Sequence, residues 1–387
     1  MKIKTIAIII IIFSLVLIIS KNAEMSTRTA LSNLKIQEPI KIVNTEENEL
    51  LNKTISNILN KYKFNGNIII VKNNEPIYKN SLGYSNLLKK TELNYNSVFQ
   101  LASVSKQFTA MAIMILAEEK KLDYDDLVVK HIKDFPYNNI SIRQLLNHTS
   151  GLQNYIWLVE KYASGKINIT NKDVLELYKK HKLPLNFIPG TRFSYSNSGY
   201  VFLALLIEKI SGEDFGVFLK ERIFDKLEMI NSFVYNKKIM DTLKTRAEGH
   251  IKGKKYTRII TDNNEDCIYG DKGVFSTIED MYRWDKALYE QKLISDSTLK
   301  IAFSTSILKN NKEIPYGFGW RIKEFEGKRV IYHNGWWHGY KTSITRFVDD
   351  KNSIIILNNT GSHLAAMLND LKKLLYKNSE ELDLSSE

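Results

Sequence analysis

A serine and a lysine three residues apart, Ser103 and Lys106, sit in the stretch Phe99-Gln100-Leu101-Ala102-Ser103-Val104-Ser105-Lys106-Gln107-Phe108. If the chain is helical from Ser103 onward, the two side chains share a face and the amine can reach the hydroxyl. A helix start at the serine also supplies exposed backbone N–H groups and a positive dipole end, which favour an anionic nucleophile. The chemistry within reach is attack of Ser103 on a carbonyl carbon, with Lys106, losing its charge in an apolar setting, helping to take the proton. Ser-x-x-Lys recurs at Ser32/Lys35, Ser297/Lys300 and Ser306/Lys309, all in polar surroundings. Only after Ser103 do Val104, Phe108, Met111, Ala112, Ile115 and Leu116 follow at helical spacing, as in a buried central helix. On this stretch alone, nucleophile and simple helix N-cap both remain open for Ser103.

Two further groups carry chemistry. Tyr195-Ser196-Asn197 follows a Pro189-Gly190 turn, so a phenol and an amide two apart on a loop can face one cleft. One would serve as acid or base and the other as a carbonyl-binding donor. Tyr84-Ser85-Asn86 has the same pattern, and turn chemistry alone accounts for either. His333-Asn334-Gly335 is the chain's only His-x-Gly and is expected at a strand end, where glycine permits close approach of a substrate to the backbone. Trp336, Trp337 and Tyr340 beside it suit a pocket wall or sheet packing equally.

The elements that must position these groups follow from periodicity. Leu51, Ile55, Ile58 or Leu59, and Tyr62 predict an amphipathic helix opening near Thr45. Gly66–Lys72 and Pro76–Leu82 predict a hairpin about Asn73-Asn74. From Asp123 to about Asn311 the pattern is helical and loop-rich, with helices at Ile142–Leu146, Asn171–Lys180 and Tyr200–Ser211. Strands return at Phe318–Phe325, Arg329–His333, Lys341–Val348 and Asn352–Leu357, before a terminal helix marked by Leu364, Leu368, Leu371 and Leu375. Strands at both ends and helices between predict an α+β fold. One antiparallel sheet comes from both chain ends, flanked by the terminal helices, with a helical lobe (about 123–311) inserted and the site between lobes.

Composition excludes several classes. There is one cysteine, Cys267, so no intramolecular disulfide, and nothing beside it would activate a thiol. No clustered histidine pattern, His-Glu-x-x-His, Gly-x-Ser-x-Gly or phosphate loop is present, so no metal or cofactor is expected. The net charge of +12 (55 Lys+Arg against 43 Asp+Glu) is spread along 387 residues without basic-aromatic runs, which points away from nucleic acid and toward anionic polymers or headgroups. Lys2 and Lys4 precede an apolar run ending at Ile19, expected as a signal peptide or membrane anchor over residues 1–20. Export to the periplasm or the outer face of the cytoplasmic membrane follows, with membrane attachment if the segment is uncleaved. A polar linker is expected at 21–44, a catalytic domain at 45–377 and a disordered acidic tail at 378–387.

Taken in order, the three groups resemble the serine β-lactamase and penicillin-recognising superfamily, in its class C β-lactamase and D-alanyl-D-alanine carboxypeptidase branch. Leu145–Leu152 (LLNHTSGL), Phe187–Gly190, Asn197–Tyr200, Gly273–Thr277 and Tyr316–Trp320 extend the likeness from about residue 50 to 375. The resemblance implies a β-lactamase/transpeptidase-like fold, Ser103 as the acylated nucleophile and Lys106 as its partner. It implies Tyr195 as general base, Asn197 as a substrate-amide contact, and His333 and Gly335 as the third motif. The backbone N–H groups of Ser103 and Trp336 would form the oxyanion hole. Whether Lys106 or Tyr195 takes the proton stays open. Class C β-lactamases carry Lys-Thr-Gly at the third motif, whereas this chain has His-Asn-Gly. The implied substrate is therefore a small or peptidoglycan-like D-alanyl amide or ester rather than an efficiently hydrolysed antibiotic, with an esterase or weak β-lactamase, or a penicillin-binding sensor or scaffold without turnover, as the alternatives.

Overall fold

A computed structural model describes residues 39–42, 46–252, 256–258, 265–361 and 364–376. The apolar segment 1–20, most of the linker and the acidic tail lie outside the described residues. Among the described residues, no helix is long and apolar enough to cross a membrane.

In chain order, the elements used below are α1 (Glu46–Lys61), β1 (Gly66–Lys72), β2 (Glu75–Leu82), α2 (Lys106–Glu118), α3 (Ile142–Leu146), α4 (Asn171–His181), α5 (Asn197–Ser211), α6 (Ile278–Glu290), β3 (Arg321–Phe325), β4 (Lys328–Trp337), β5 (Tyr340–Phe347), β6 (Asn352–Asn358) and α7 (Leu364–Leu375). The strands form one antiparallel sheet in the order β3-β4-β5-β6-β1-β2, so the two chain ends meet where β6 pairs with β1. Both faces of that seam are buried, which is why Ile68–Val71 and Ile354–Leu357 read as unbroken apolar runs. Ile68, Ile70, Ile354 and Ile356 pack against Leu51, Ile55 and Leu59 of α1 and Met367 and Leu371 of α7. Ile69, Val71, Ile355 and Leu357 face the opposite core, built around α2, α5 and α6. The expected architecture is thus the observed one.

Several local expectations need correction. The lobe between Asp123 and Asn311 is not purely helical. Val274–Ser276 pairs with Phe99–Gln100 on one side and Phe233–Val234 on the other, in a three-stranded sheet too short to leave a period. β3 begins at Arg321 rather than Phe318, because Gly319 (φ +78°) turns the chain under the Lys106 carbonyl, 2.9 Å from where a Cβ would stand. α5 begins at Asn197, so the amide is the first helical residue and not part of a loop. β4 continues past His333-Asn334-Gly335 to Trp337, held by pairing with β5. Tyr340 walls no pocket: its ring is buried and its hydroxyl donates to Ala247 O at 2.6 Å.

Helix α6 is fastened to the sheet by a buried ion pair. Arg346 of β5 donates from Nε to Asp285 Oδ1 at 2.5 Å, and Ser353 of β6 donates to Asp285 Oδ2 at 2.7 Å. Breaking a buried pair from one side strands the other charge. Asp285→Ala is expected to cost about 3–5 kcal/mol in urea unfolding, while a Lys300→Ala control, whose pair with Asp296 is solvent-exposed, should stay within about 1 kcal/mol.

Candidate active site

Ser103 lies inside one 3₁₀ turn, Ala102–Ser105, that feeds directly into α2, and neither helical segment uses it as a side-chain cap. The turn is entered through Ala102 in the left-handed region (φ +50°), a conformation that costs about 1–3 kcal/mol for a residue with a Cβ and is held only by its surroundings. Those surroundings clamp it on both sides. Leu101 N–H donates to Val274 O at 2.9 Å, Val274 N–H donates to Ser105 Oγ at 3.1 Å, and Thr342 Oγ1 of β5 donates to Leu101 O at 2.6 Å.

One turn further on, Lys106 is fully buried. Its Nζ lies 3.1 Å from Ser103 Oγ, 2.8 Å from Asn197 Oδ1 and 2.8 Å from the Asp271 carbonyl. Two of these partners can only accept, so they take two N–H bonds and aim the remaining tetrahedral position at Ser103. That position can carry a proton donated to Oγ, or a lone pair receiving the proton of the hydroxyl. Either state fits without moving the side chain.

Asn197 reaches this point because α5 starts there and packs its apolar length into the lobe core. Tyr195, two residues earlier, is half-buried with its ring centroid 5.0 Å from Lys106 Nζ and 5.1 Å from the Arg321 guanidinium. Its loop is strapped to the segment after α3. Ser194 N–H donates to His148 O at 3.0 Å and Gly190 N–H to Thr149 O at 2.8 Å. The His148 imidazole meets the Ser196 backbone through Nδ1 and lies 4.3 Å from the Tyr195 ring.

β4 supplies the remaining groups. Its pairing with β3 stops at Tyr332↔Arg321, so His333 to Trp337 keep an edge without a strand partner, and the Ser103 turn packs there. Gly335 makes the approach possible: a Cβ on it would fall 2.3 Å from both Leu101 O and Thr342 Oγ1. His333 is buried, with Nδ1 2.8 Å from Asn334 O and Nε2 3.2 Å from the Tyr316 hydroxyl. A carbonyl can only accept, so Nδ1 carries the proton and Nε2 accepts from the phenol.

A cavity of about 1000 Å³ collects these groups: Ser103, Tyr195, Asn197, His333, Gly335 and Trp336 all line it, and Lys106 sits beneath Ser103. All seven residues expected from sequence therefore converge. Arg321 and Asp271, which line the same cavity, were not expected, nor was His148 behind Tyr195. Arg321 and His148 lie in or just beside stretches already singled out (LLNHTSGL and Tyr316–Trp320), so the signal was present as flanking motif but silent about direction. Among the described residues no carboxylate pairs with Arg321, whose guanidinium stacks over Tyr195 and Tyr316.

Electrostatics separate the histidines from the cations. Burial, and then the charge of Lys106 nearby, hold the imidazoles of His148 and His333 well below the ordinary histidine range. Burial beside Lys272 lowers His338 to about 4. All three stay neutral at pH 7. The unfolded chain binds protons on them near pH 6.5 and the folded chain does not, so stability is complete above that pH and falls as pH drops. Each contributes a slope of up to about 1.4 kcal/mol per pH unit. Thermal melts between pH 7.5 and 5.5 should show this loss, and His148→Gln or His333→Gln should flatten it.

Comparison with known proteins accords with this geometry. The Beta-lactamase family model matches residues 51–377. Penicillin-binding protein 4* of Bacillus subtilis is 37% identical over 314 residues, covering 77% of this chain and 69% of that protein. A D-aminopeptidase of Brucella canis is 25% identical over 294 residues, which are 76% of this chain but only 56% of the relative. In three dimensions, the octameric penicillin-binding protein homologue from Pyrococcus abyssi superposes with a TM-score of 0.73 at 26% identity, over 85% of this chain and 78% of that one. With the family model spanning nearly all of the described residues, this chain belongs to the β-lactamase family and is a serine hydrolase of that family.

Proposed function

We propose that the chain hydrolyses D-alanyl amide or ester bonds of cell-envelope material through an acyl-enzyme on Ser103, in the manner of a D-alanyl-D-alanine carboxypeptidase. The observation that carries this reading is the buried amine of Lys106 held 3.1 Å from Ser103 Oγ by two acceptor-only carbonyl groups. Ser103 Oγ attacks the carbonyl carbon and its proton passes to Lys106 or, through it, to Tyr195. The leaving amine or alcohol takes that proton and departs, and water then cleaves the ester on Ser103 with the same groups in reverse. Developing charge on the carbonyl oxygen is met by the N–H groups of Ser103 and Trp336, at the edge of β4 where strand pairing lapses. Asn197 contacts the substrate amide.

Arg321, Lys272 and Lys341 all line the cavity. Lys272 Nζ already donates to the Tyr155 hydroxyl and the Glu265 and Ile268 carbonyls, and Lys341 Nζ to Gly361 O, so Arg321 is the best placed partner for a substrate carboxylate. Neutral His333 cannot supply a charge there, and Arg321 does. A penicillin and a D-alanyl-D-alanine terminus both carry such a carboxylate, so this anchor suits either and the rate of turnover separates them. The similarity to a relative named D-aminopeptidase supports a D-amino amide substrate. Export to the envelope side of the membrane is part of the proposal, supported by the Lys2/Lys4 and apolar N-terminal pattern.

The test is a panel of D-alanyl and L-alanyl amides and esters, beside a penicillin. Release of D-alanine with little from the L-series, and slow penicillin turnover, is expected. Rapid penicillin hydrolysis would make the chain a β-lactamase. A lasting penicillin adduct without turnover of any substrate would make it a sensor.

A further inference from the structure

Lys106 is aimed by two acceptors from distant parts of the chain, the side chain of Asn197 at the start of α5 and the backbone carbonyl of Asp271. For the amine to point at Ser103, those two oxygens must keep one separation. Asp271 lies ahead of the strand Val274–Ser276, so no ladder bond of that strand holds its carbonyl in place. What holds it is side-chain contact.

One residue reaches both acceptors. Tyr155 opens the helix Tyr155–Tyr162 and is fully buried. Its backbone N–H donates at 2.7 Å to the Oγ of Ser198, the residue after Asn197, and Ser198 Oγ donates in turn to Gln153 O at 2.7 Å. At the other end of the side chain, the Tyr155 hydroxyl donates to Asp271 Oδ2 at 3.1 Å and accepts from Lys272 Nζ at 2.9 Å. Lys272 commits its other two N–H groups to the carbonyls of Glu265 and Ile268, at 2.9 and 2.8 Å. Burial, and then the Asp271 charge, push the phenol well above the ordinary tyrosine range, so it remains a donor at neutral pH. Asp271 and Lys272 are buried as well, and a lost partner here leaves a polar group stranded.

We propose that Tyr155 is a positioning residue for acylation. By holding Ser198 at one end and Asp271 at the other, it sets the spacing of the two oxygens that aim Lys106 Nζ at Ser103 Oγ. This rests on the reading of Lys106 as the first acceptor of the Ser103 proton. Without the hydroxyl, the Asp271 carboxylate and the Lys272 ammonium that now meet through it re-pair directly, since neither charge can stay buried alone. The backbone between them moves with them, and the Asp271 carbonyl leaves its place under Lys106.

The experiment acylates the full chain with p-nitrophenyl acetate over a range of concentrations and reads the mass increment on Ser103. The wild type, Tyr155→Phe, Lys106→Ala and the double variant are compared, with urea unfolding to verify that each is folded. A misplacement of about 1 Å costs about 10²-fold, so Tyr155→Phe should lower the maximal acylation rate by about 10- to 100-fold. The half-saturating ester concentration should stay the same, because Tyr155 does not line the cavity. In Lys106→Ala there is no amine to aim, so adding Tyr155→Phe should change the residual rate by less than about twofold. Ser198→Ala, which removes the acceptor at the opposite end, should give a smaller loss of the same kind, and it decides the matter if Tyr155→Phe does not fold. Tyr137→Phe is the control: it removes a hydroxyl bond to Leu183 O, at 2.6 Å elsewhere in the lobe, and should leave acylation unchanged. Wild-type rates in Tyr155→Phe and Ser198→Ala, a loss that appears only in the half-saturating concentration, or an equal loss in the Lys106→Ala background would each overturn the proposal. Wild-type acylation in Lys106→Ala alone would instead overturn the role of Lys106, and leave Tyr155 nothing to position.

Discussion

Lys106→Ala is expected to slow acylation of Ser103 by about three orders of magnitude, since an unassisted hydroxyl is a poor nucleophile and a positioned proton acceptor contributes about 10²–10⁴-fold. The stopped-flow rate with an activated ester measures it. The loss should fall on the acylation rate and not on ester binding, because the buried Nζ bonds to the protein's own groups. The substitution also leaves Asn197 Oδ1 and the Asp271 carbonyl without their donor, at about 1–3 kcal/mol each. Urea unfolding in parallel separates that stability cost from the chemical one. Lys106→Arg should not rescue: a guanidinium cannot accept a proton at neutral pH, and it does not fit a site shaped for a single tetrahedral nitrogen. Acylation at the wild-type rate in Lys106→Ala would remove the lysine from the mechanism.

Gly335→Ala is expected to lower acylation by about 10²-fold and to destabilise the chain by about 1–3 kcal/mol. The reason is space and not backbone freedom. The new methyl would stand 2.3 Å from Leu101 O and from Thr342 Oγ1, and 3.0 Å from Ala102 Cβ. The Thr342–Leu101 hydrogen bond that clamps the Ser103 turn against β4 must open, and Trp336 N–H moves with the strand. A displacement of about 1 Å between nucleophile and carbonyl-binding donors accounts for the loss in rate. Gly361→Ala is the control, because a Cβ there meets nothing within 4 Å. Gly335→Ala at the wild-type rate would mean that the β4 edge and the Ser103 turn do not act together.

The same two positions explain what could be read before any coordinates. Helices α1 and α3 are legible because their apolar residues repeat at the helical period, and the β1–β2 hairpin because an unbroken apolar run meets the Asn73-Asn74 turn. The triad of motifs was legible for a different reason: Ser103/Lys106 and Tyr195/Asn197 are local pairs, and His333/Gly335 marks a strand. What escaped is what depends on approach in space. Nothing near Asp271 announces that its backbone carbonyl receives Lys106 from 165 residues away. Arg321 looks like any strand residue until Tyr195 and Tyr316 are seen beneath it. The extension of β4 through Asn334-Gly335 breaks the apolar alternation, since those residues serve the cleft, and only pairing with β5 reveals it. Val274–Ser276 is three residues long and fully buried, with no period to detect.

The central claim is that the hydroxyl at position 103 is the group acylated. Peptide mapping by mass spectrometry after brief exposure to an activated ester tests it without reference to the natural substrate. The expected result is a single acyl increment on the peptide containing Ser103, absent from Ser103→Ala. An adduct on any other residue, or one that persists undiminished in Ser103→Ala, would contradict it.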